Sequence, residues 1–355
     1  MAGISAAAVA CVVAAWAPSP VAAGNLWGVG AEPTGADQDP VPAEAAAEVA
    51  YRRELDKGDE YAVLALEARS MRRPPGLRAR SPSTVHMTRL ALAAVEAYEN
   101  AAALRPQAAE PHLRAAQVLH EYFLSPRGVG VGYPLIRDRA RAEQALAHWQ
   151  SFEDRAPLDP RVVDTLFERG LVHTRLAGQR DLENAIACYE TLLERIDPSQ
   201  VLSINYGIYL GNLAETYMMV GRVEDAIATY ERALDHGNRA THGYGLAVAL
   251  DRDGQTTRAR EVMLTYAMAD QLRDLADGGT FFVPEGEKDY YLALGYESLG
   301  EMALAARHYR RFIASGAHPR FQPRARDNLR RVEAEVSRAP VRRRGSAGGG
   351  GEGSP

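Results

Sequence analysis

Residues 212–234 read NLAETYMMVGRVEDAIATYERAL, residues 245–267 read GLAVALDRDGQTTRAREVMLTYA, and residues 291–313 read YLALGYESLGEMALAARHYRRFI. Set under one another, they share a template. An apolar residue and a small one (Leu213-Ala214, Leu246-Ala247, Leu292-Ala293) are followed by a bulky residue, Tyr217, Leu250 or Tyr296. Four positions on stands a glycine: Gly221, Gly254 or Gly300. Five beyond it comes an alanine (Ala226, Ala259, Ala305), four later a large side chain (Tyr230, Met263, Tyr309), and three later Ala233, Tyr266 or Phe312. Residues at i, i+3, i+4 and i+7 share one helix face, so each segment encodes two short amphipathic helices. The glycine breaks the chain between them by accepting a backbone conformation that other residues resist. Small residues let the two helices approach, and the large one fills the gap.

This template resembles the tetratricopeptide repeat, a unit of about 34 residues built as a helix pair. Seven of its eight usual positions match, and the opening tryptophan is replaced by Leu210, Gly243 and Asp289. Divergent copies then emerge upstream. Ala94, Tyr98, Ala101 and Pro106 reproduce the second-helix half, as do Ala145, Trp149, Phe152 and Pro157, and again Ala185, Tyr189 and Leu192. The expected fold is an all-α, right-handed α-solenoid of antiparallel helix pairs over residues 86–319, interrupted by insertions at 124–140 and 274–288. A terminal repeat needs its apolar flank covered. Residues 320–340 supply a capping helix with Ala325, Leu329, Val332 and Val336 as its stripe and Arg324, Asp327, Arg330, Arg331, Glu333 and Glu335 as its surface. Residues 43–85 are helical in pattern and read as an N-terminal cap.

Composition narrows the function classes. A chain of 355 residues with 46% hydrophobic and 25% charged side chains can bury a continuous core. A net charge of −5 supplies no global field toward nucleic acid. Residues 4–17 (ISAAAVACVVAAWA) are apolar but too short to span a bilayer, and the small-residue site Val21-Ala22-Ala23 follows. Residues 1–23 thus read as a secretory signal peptide, although the stretch before the apolar run lacks Lys and Arg. The expected location is periplasmic or secreted after cleavage near Ala23. A cytoplasmic protein with an Ala-rich leader is the alternative, and Cys11 would allow acylation of an envelope lipoprotein. Residues 24–42 are rich in Gly, Pro and Asp and read as a flexible spacer, and 341–355 as a disordered tail. Arg342, Arg343 and Arg344 in that tail could make a weak contact with an anionic surface. Cys188, the only cysteine outside the leader, has no partner for a disulfide and reads as a half-buried small side chain.

No motif for chemistry survives its context, and no cofactor or metal is expected. Gly128-Val129-Gly130-Val131-Gly132 superficially matches a phosphate-cradling loop, yet it follows a helix and no Lys-Ser/Thr pair comes after it. A nucleotide- or sugar-binding enzyme using this loop is the rival reading. Nine histidines are scattered without ligand spacing, and His120-Glu121 is the one His-acid pair with a claim to the groove.

The family resemblance implies a non-catalytic scaffold that binds a protein or peptide on the concave face lined by each first helix. Carried over position by position, it places Glu215, Met218 and Met219 on that groove, then Tyr244, Val248, Asp251 and Arg252, then Tyr290, Leu294 and Glu297. The family's carboxylate clamp is not reproduced: Gly211, Tyr244 and Tyr290 stand where its first lysine would be, and Glu215, Val248 and Leu294 where it has asparagine. Phe281 and Phe282 in the second insertion either fold back as a lid or meet a partner.

Overall fold

The computed structural model describes residues 43–70, 84–125, 135–237, 239–270, 272–273, 275 and 286–338. The chain divides into two compact units, Met1–Ala46 and Ala47–Pro355. Of the first, only the opening turn of the first helix is described. The described residues hold thirteen α-helices and no strand; the first begins before the boundary at Ala46 and the other twelve lie in the second unit. They are α1 (Ala43–Ser70), α2 (Thr84–Leu104), α3 (Glu110–Leu119), α4 (Arg139–Arg155), α5 (Val162–Leu176), α6 (Gln179–Arg195) and α7 (Ser203–Val220). There follow α8 (Val223–Ala233), α9 (Arg239–Arg252), α10 (Thr256–Asp270), α11 (Glu287–Ser298), α12 (Met302–Ser315) and α13 (Gln322–Arg338). A π-helical turn (His120–Leu124) extends α3, and a 3-10 turn (Pro319–Phe321) introduces α13.

The packing is sequential: α3 with α4, α5 with α6, α7 with α8, α9 with α10 and α11 with α12 form pairs, and each pair stacks on the next. The large template residues hold every pair together. Tyr98, Trp149, Tyr189, Tyr230, Met263 and Tyr309 are all buried. In the divergent copies the small partner has shrunk to glycine. A Cβ on Gly170 would lie 2.4 Å from the Tyr189 ring, and one on Gly58 2.4 Å from Tyr98. Tyr98 also donates its hydroxyl to Asp59 Oδ1 at 2.7 Å, which fastens α1 to α2.

The three breaks share one geometry. Gly221, Gly254 and Gly300 have φ of 81°, 86° and 81°. The following N–H donates to the carbonyl of the bulky template residue: Arg222 to Tyr217, Gln255 to Leu250, and Glu301 to Tyr296, each at 2.8 Å. This closes the last helical turn in a left-handed cap. The same break after α5 is made by Ala177 at φ 54°, where a Cβ is unfavourable.

Successive pairs are also tied along the loop edge. Arg155 Nε donates to Pro106 O at 2.8 Å, and Arg195 Nη1 to Pro157 O at 3.1 Å. Each arginine stands six positions after its pair's large residue, and each proline eight after the large residue of the preceding pair.

Two cores result. One fills α1 to α6 around Tyr98, Trp149 and Phe152; the other runs from α6 to α13 around Tyr230, Tyr291 and Tyr309. Phe167 and Leu193 pack against both. Cys188 is a free, buried thiol, and burial raises its pKa.

The C-terminal helix departs from its expected stripe. Ala325 and Val332 are buried, but Val336 is 43% exposed. Asn328, 1% exposed, takes an interior place, and Arg324 and Arg331 turn toward the array instead of the solvent. Hydrogen bonding, described below, wins over the apolar register. The glycine loop at 128–132, Phe281, Phe282, the leader, the spacer and the arginines of the tail lie outside the described residues. Among the described residues no helix is long and apolar enough to cross a membrane.

Candidate partner-binding face

Nine of the ten side chains expected to line the groove are in the interior. Glu215, Met218, Tyr244, Val248, Asp251, Tyr290, Leu294 and Glu297 are buried, and the side chain of Arg252 has no exposure. Met219 alone is half-buried. The cause is legible in their helices. In mid-helix α9 and α11 are buried on every side, over 241–251 and 290–295, and neither concentrates its apolar residues on one face. Their inner faces are covered by the 3-10 turn and α13.

The charged members of the set are held by one another and by this cover. Arg252 pairs with Glu287, both without exposure, and its guanidinium lies 4.1 Å from the Phe321 ring centre and 4.7 Å from that of Tyr290. Such stacking suits the planar, weakly hydrated guanidinium. Asp251 accepts from Arg324 Nη2 at 2.6 Å and from Asn328 Nδ2 at 2.8 Å. Glu297 accepts from Tyr309 OH at 2.9 Å and pairs with Arg331. Glu215 Oε2 accepts from Tyr230 OH and Tyr291 OH, each at 2.8 Å. Burial and then the nearby Glu287 push the Glu215 carboxyl up to about 7. Arg320 crosses to the end of α7: its Nη1 donates to Val220 O at 2.9 Å, over Gly221. A Cβ on Gly221 would fall inside that guanidinium.

A more open arrangement sits on the N-terminal half, where three successive first helices meet. His120, on the π-helical turn, places Nε2 3.1 Å from Glu168 Oε2 of α5 and its ring 5.4 Å from that of Trp149. One turn before Glu168 stands Asp164, which is exposed, and beside it the half-buried Phe167. Phe167 meets Tyr209 of α7 at 4.9 Å between ring centres. Glu168 keeps 21% of its side chain exposed. Its carboxyl is pushed up to about 7, by burial first and by Asp164 second. The Tyr209 phenol is raised by burial, Asp164 and Glu168. His120 has an acidic chain neighbour in Glu121, but its carboxylate contacts in space include Glu168, 48 positions away. The signal that could have found it is the i, i+3, i+4 set Asp164, Phe167, Glu168, a polar and aromatic face on a helix whose other side carries Val162, Leu166 and Gly170.

A cleft of about 300 Å³ between α4, α5 and α6 is lined by Glu153, Arg169, His173 and Cys188. Of its two arginines, Arg169 is paired with Glu153 and Arg195 donates to Pro157 O. Among the described residues no group of three or more His, Cys, Asp or Glu is placed to hold a metal ion.

The tetratricopeptide-repeat family model matches residues 210–243, the stretch from the middle of α7 through α8 into α9. Among solved structures, the TPR domain of P58(IPK) is similar at 11% identity and a TM-score of 0.32, covering 86% of this chain and 72% of that one. So loose a superposition carries no argument, and the fold rests on the helix pairs themselves. No curated protein sequence matches the chain.

Proposed function

From a tetratricopeptide-repeat array as premise, we propose that the chain is a non-catalytic protein-interaction scaffold whose partner docks on the face formed by α3, α5 and α7. The observation that carries this is the placement of His120, Asp164, Phe167, Glu168 and Tyr209 on successive first helices, all at least partly exposed, with His120 against Glu168 and Phe167 against Tyr209. The equivalent surfaces of α9 and α11 are enclosed. Aromatic rings supply contact area at small entropic cost, and two acids beside them favour a partner segment with basic or neutral side chains.

In-cell crosslinking followed by mass spectrometry tests the reading. The partner recovered with the wild-type chain should be lost from Phe167→Ala/Tyr209→Ala and retained by Arg180→Ala, a change on α6 away from this face. A partner profile that is unaltered by the double substitution removes this face from consideration. Substituting Tyr244 or Tyr290 would not serve, because both are core residues. The leader at residues 1–23 supports placing the scaffold in the cell envelope. Amino-terminal sequencing of the mature chain checks it: a start at Gly24 supports soluble export, one at Cys11 a lipoprotein, and one at Met1 or Ala2 overturns both.

A further inference from the structure

The C-terminal helix is held in an unusual way. Its apolar anchors are few and small: Ala325 and Val332 are buried, and Leu329 is partly so. Polar contacts do much of the holding: Gln322 donates to the Phe312 and Ala317 carbonyls, Glu333 pairs with Arg310 of α12, and a stripe of Arg324, Asn328 and Arg331, at i, i+4 and i+7 on one helix face, reaches the array. Arg324 Nη2 donates to Asp251 Oδ1 at 2.6 Å and Nε to Oδ2 at 3.3 Å, a two-pronged hold. Asn328 Nδ2 donates to Asp251 Oδ2 at 2.8 Å, and its Oδ1 accepts from Arg331 Nη2 at 3.0 Å. Arg331 also pairs with Glu297.

The two carboxylates occupy the same position of the repeat template. Asp251 follows Leu250 on α9, and Glu297 follows Tyr296 on α11, so the repeat itself sets them side by side. Both side chains have no exposure, while Arg324 and Arg331 keep 26% and 33%. The carboxylates are therefore roofed by the helix, and the cations remain at its rim. The connection into α13 is short and carries Gly316 at φ 68° and His318 at φ 42°, the second a conformation that side chains resist. A helix retained by rim-accessible ion pairs, on a strained lead-in, opens more readily than one retained by apolar burial.

We propose that Asp251 and Glu297 form a docking site for a basic helix, filled here by α13 as an internal ligand and open to a partner helix bearing Arg, a carboxamide and Arg at i, i+4 and i+7. The site lies on a different part of the array from the α3–α5–α7 face, so either can fail without the other. Matching charge and spacing select the partner: an acidic or purely apolar helix would leave two buried carboxylates without cations.

The test uses the full chain and a fluorescein-labelled synthetic peptide of residues 319–338, read by anisotropy. Arg324→Ala/Arg331→Ala weakens the internal competitor, so the peptide should bind this variant at least about tenfold more tightly than the wild type. Adding Asp251→Asn and Glu297→Gln should erase the gain, as should a peptide lacking both arginines. Equal affinity for wild type and folded double variant overturns the proposal, as does binding that survives loss of both carboxylates. So does a doubled mass by light scattering, which would make a second copy the occupant. If the variants fail to fold, hydrogen exchange of the wild type decides. Amides of α13 should exchange faster than those of α12, and equal rates sink the idea.

Discussion

Glu215 is the buried acid with the most to say about pH. It is reached by Tyr230 from α8, Tyr291 and Glu287 from α11, and Arg252 from α9. Its folded pKa of about 7 stands above the ordinary 4.5, so the folded state prefers the protonated form. Its contribution to stability is then complete below about pH 4.5 and is lost as pH rises through 7, a change on the order of 3 kcal/mol. Glu168 acts in the same direction. Thermal melting of Glu215→Gln between pH 5 and pH 8 should show a flatter pH dependence than wild type, with the melting temperature at pH 8 no lower. A steep fall that persists in the variant would place the sensitivity elsewhere. None of this was visible in sequence. Glu215, Asp251 and Glu297 read as groove residues because the family resemblance puts their positions on the concave side of each first helix, and what covered them came from residues up to 77 positions away. By contrast Gly221, Gly254 and Gly300 were legible, since a left-handed cap is a local demand written in local residues.

At the scale of elements, the helices fall into two kinds. Each second helix shows one apolar face, and its spacing revealed Tyr98, Trp149 and Tyr189 even where the first-helix half of the repeat had drifted. α9 and α11 lack such a face, and for them periodicity gives no inside and outside. The short apolar runs at their centres, 246–250 and 290–294, were the available sign of enclosure. The C-terminal helix is the instructive mixture, because its apolar stripe was readable but its polar register overrode the last member. Val332→Ala should therefore cost about 2 kcal/mol, and Val336→Ala less than about 0.5 kcal/mol, in urea unfolding. Equal costs would mean that the apolar stripe seats the helix after all. The face of α5 shows the same limit from the other side: its pattern marks Asp164, Phe167 and Glu168 as one surface, but not that His120 and Tyr209 complete it.

For the whole molecule, the two cores meet through few side chains, chiefly Phe167 and Leu193. Arrays of this kind gain stability from each unit and from its contact with the next. Weakening one core should thus unfold it ahead of the other. Trp149 lies in the N-terminal core and is the single tryptophan among the described residues. In Tyr309→Ala, which empties the C-terminal core, loss of helical circular dichroism should begin at lower urea than the shift in Trp149 fluorescence. Coincident transitions would mean that the seam couples the cores completely. Within the C-terminal core, one contact spans several helix pairs. Arg320 reaches back to Val220 across 100 positions, over a glycine with no room for a larger residue. Repeat proteins in general can grow by duplicating a unit, because each unit touches only its neighbours. Here a fourth helix pair inserted between α7 and the 3-10 turn would carry Arg320 away from the Val220 carbonyl. The clasp counts the pairs it spans, and three is the number it accepts.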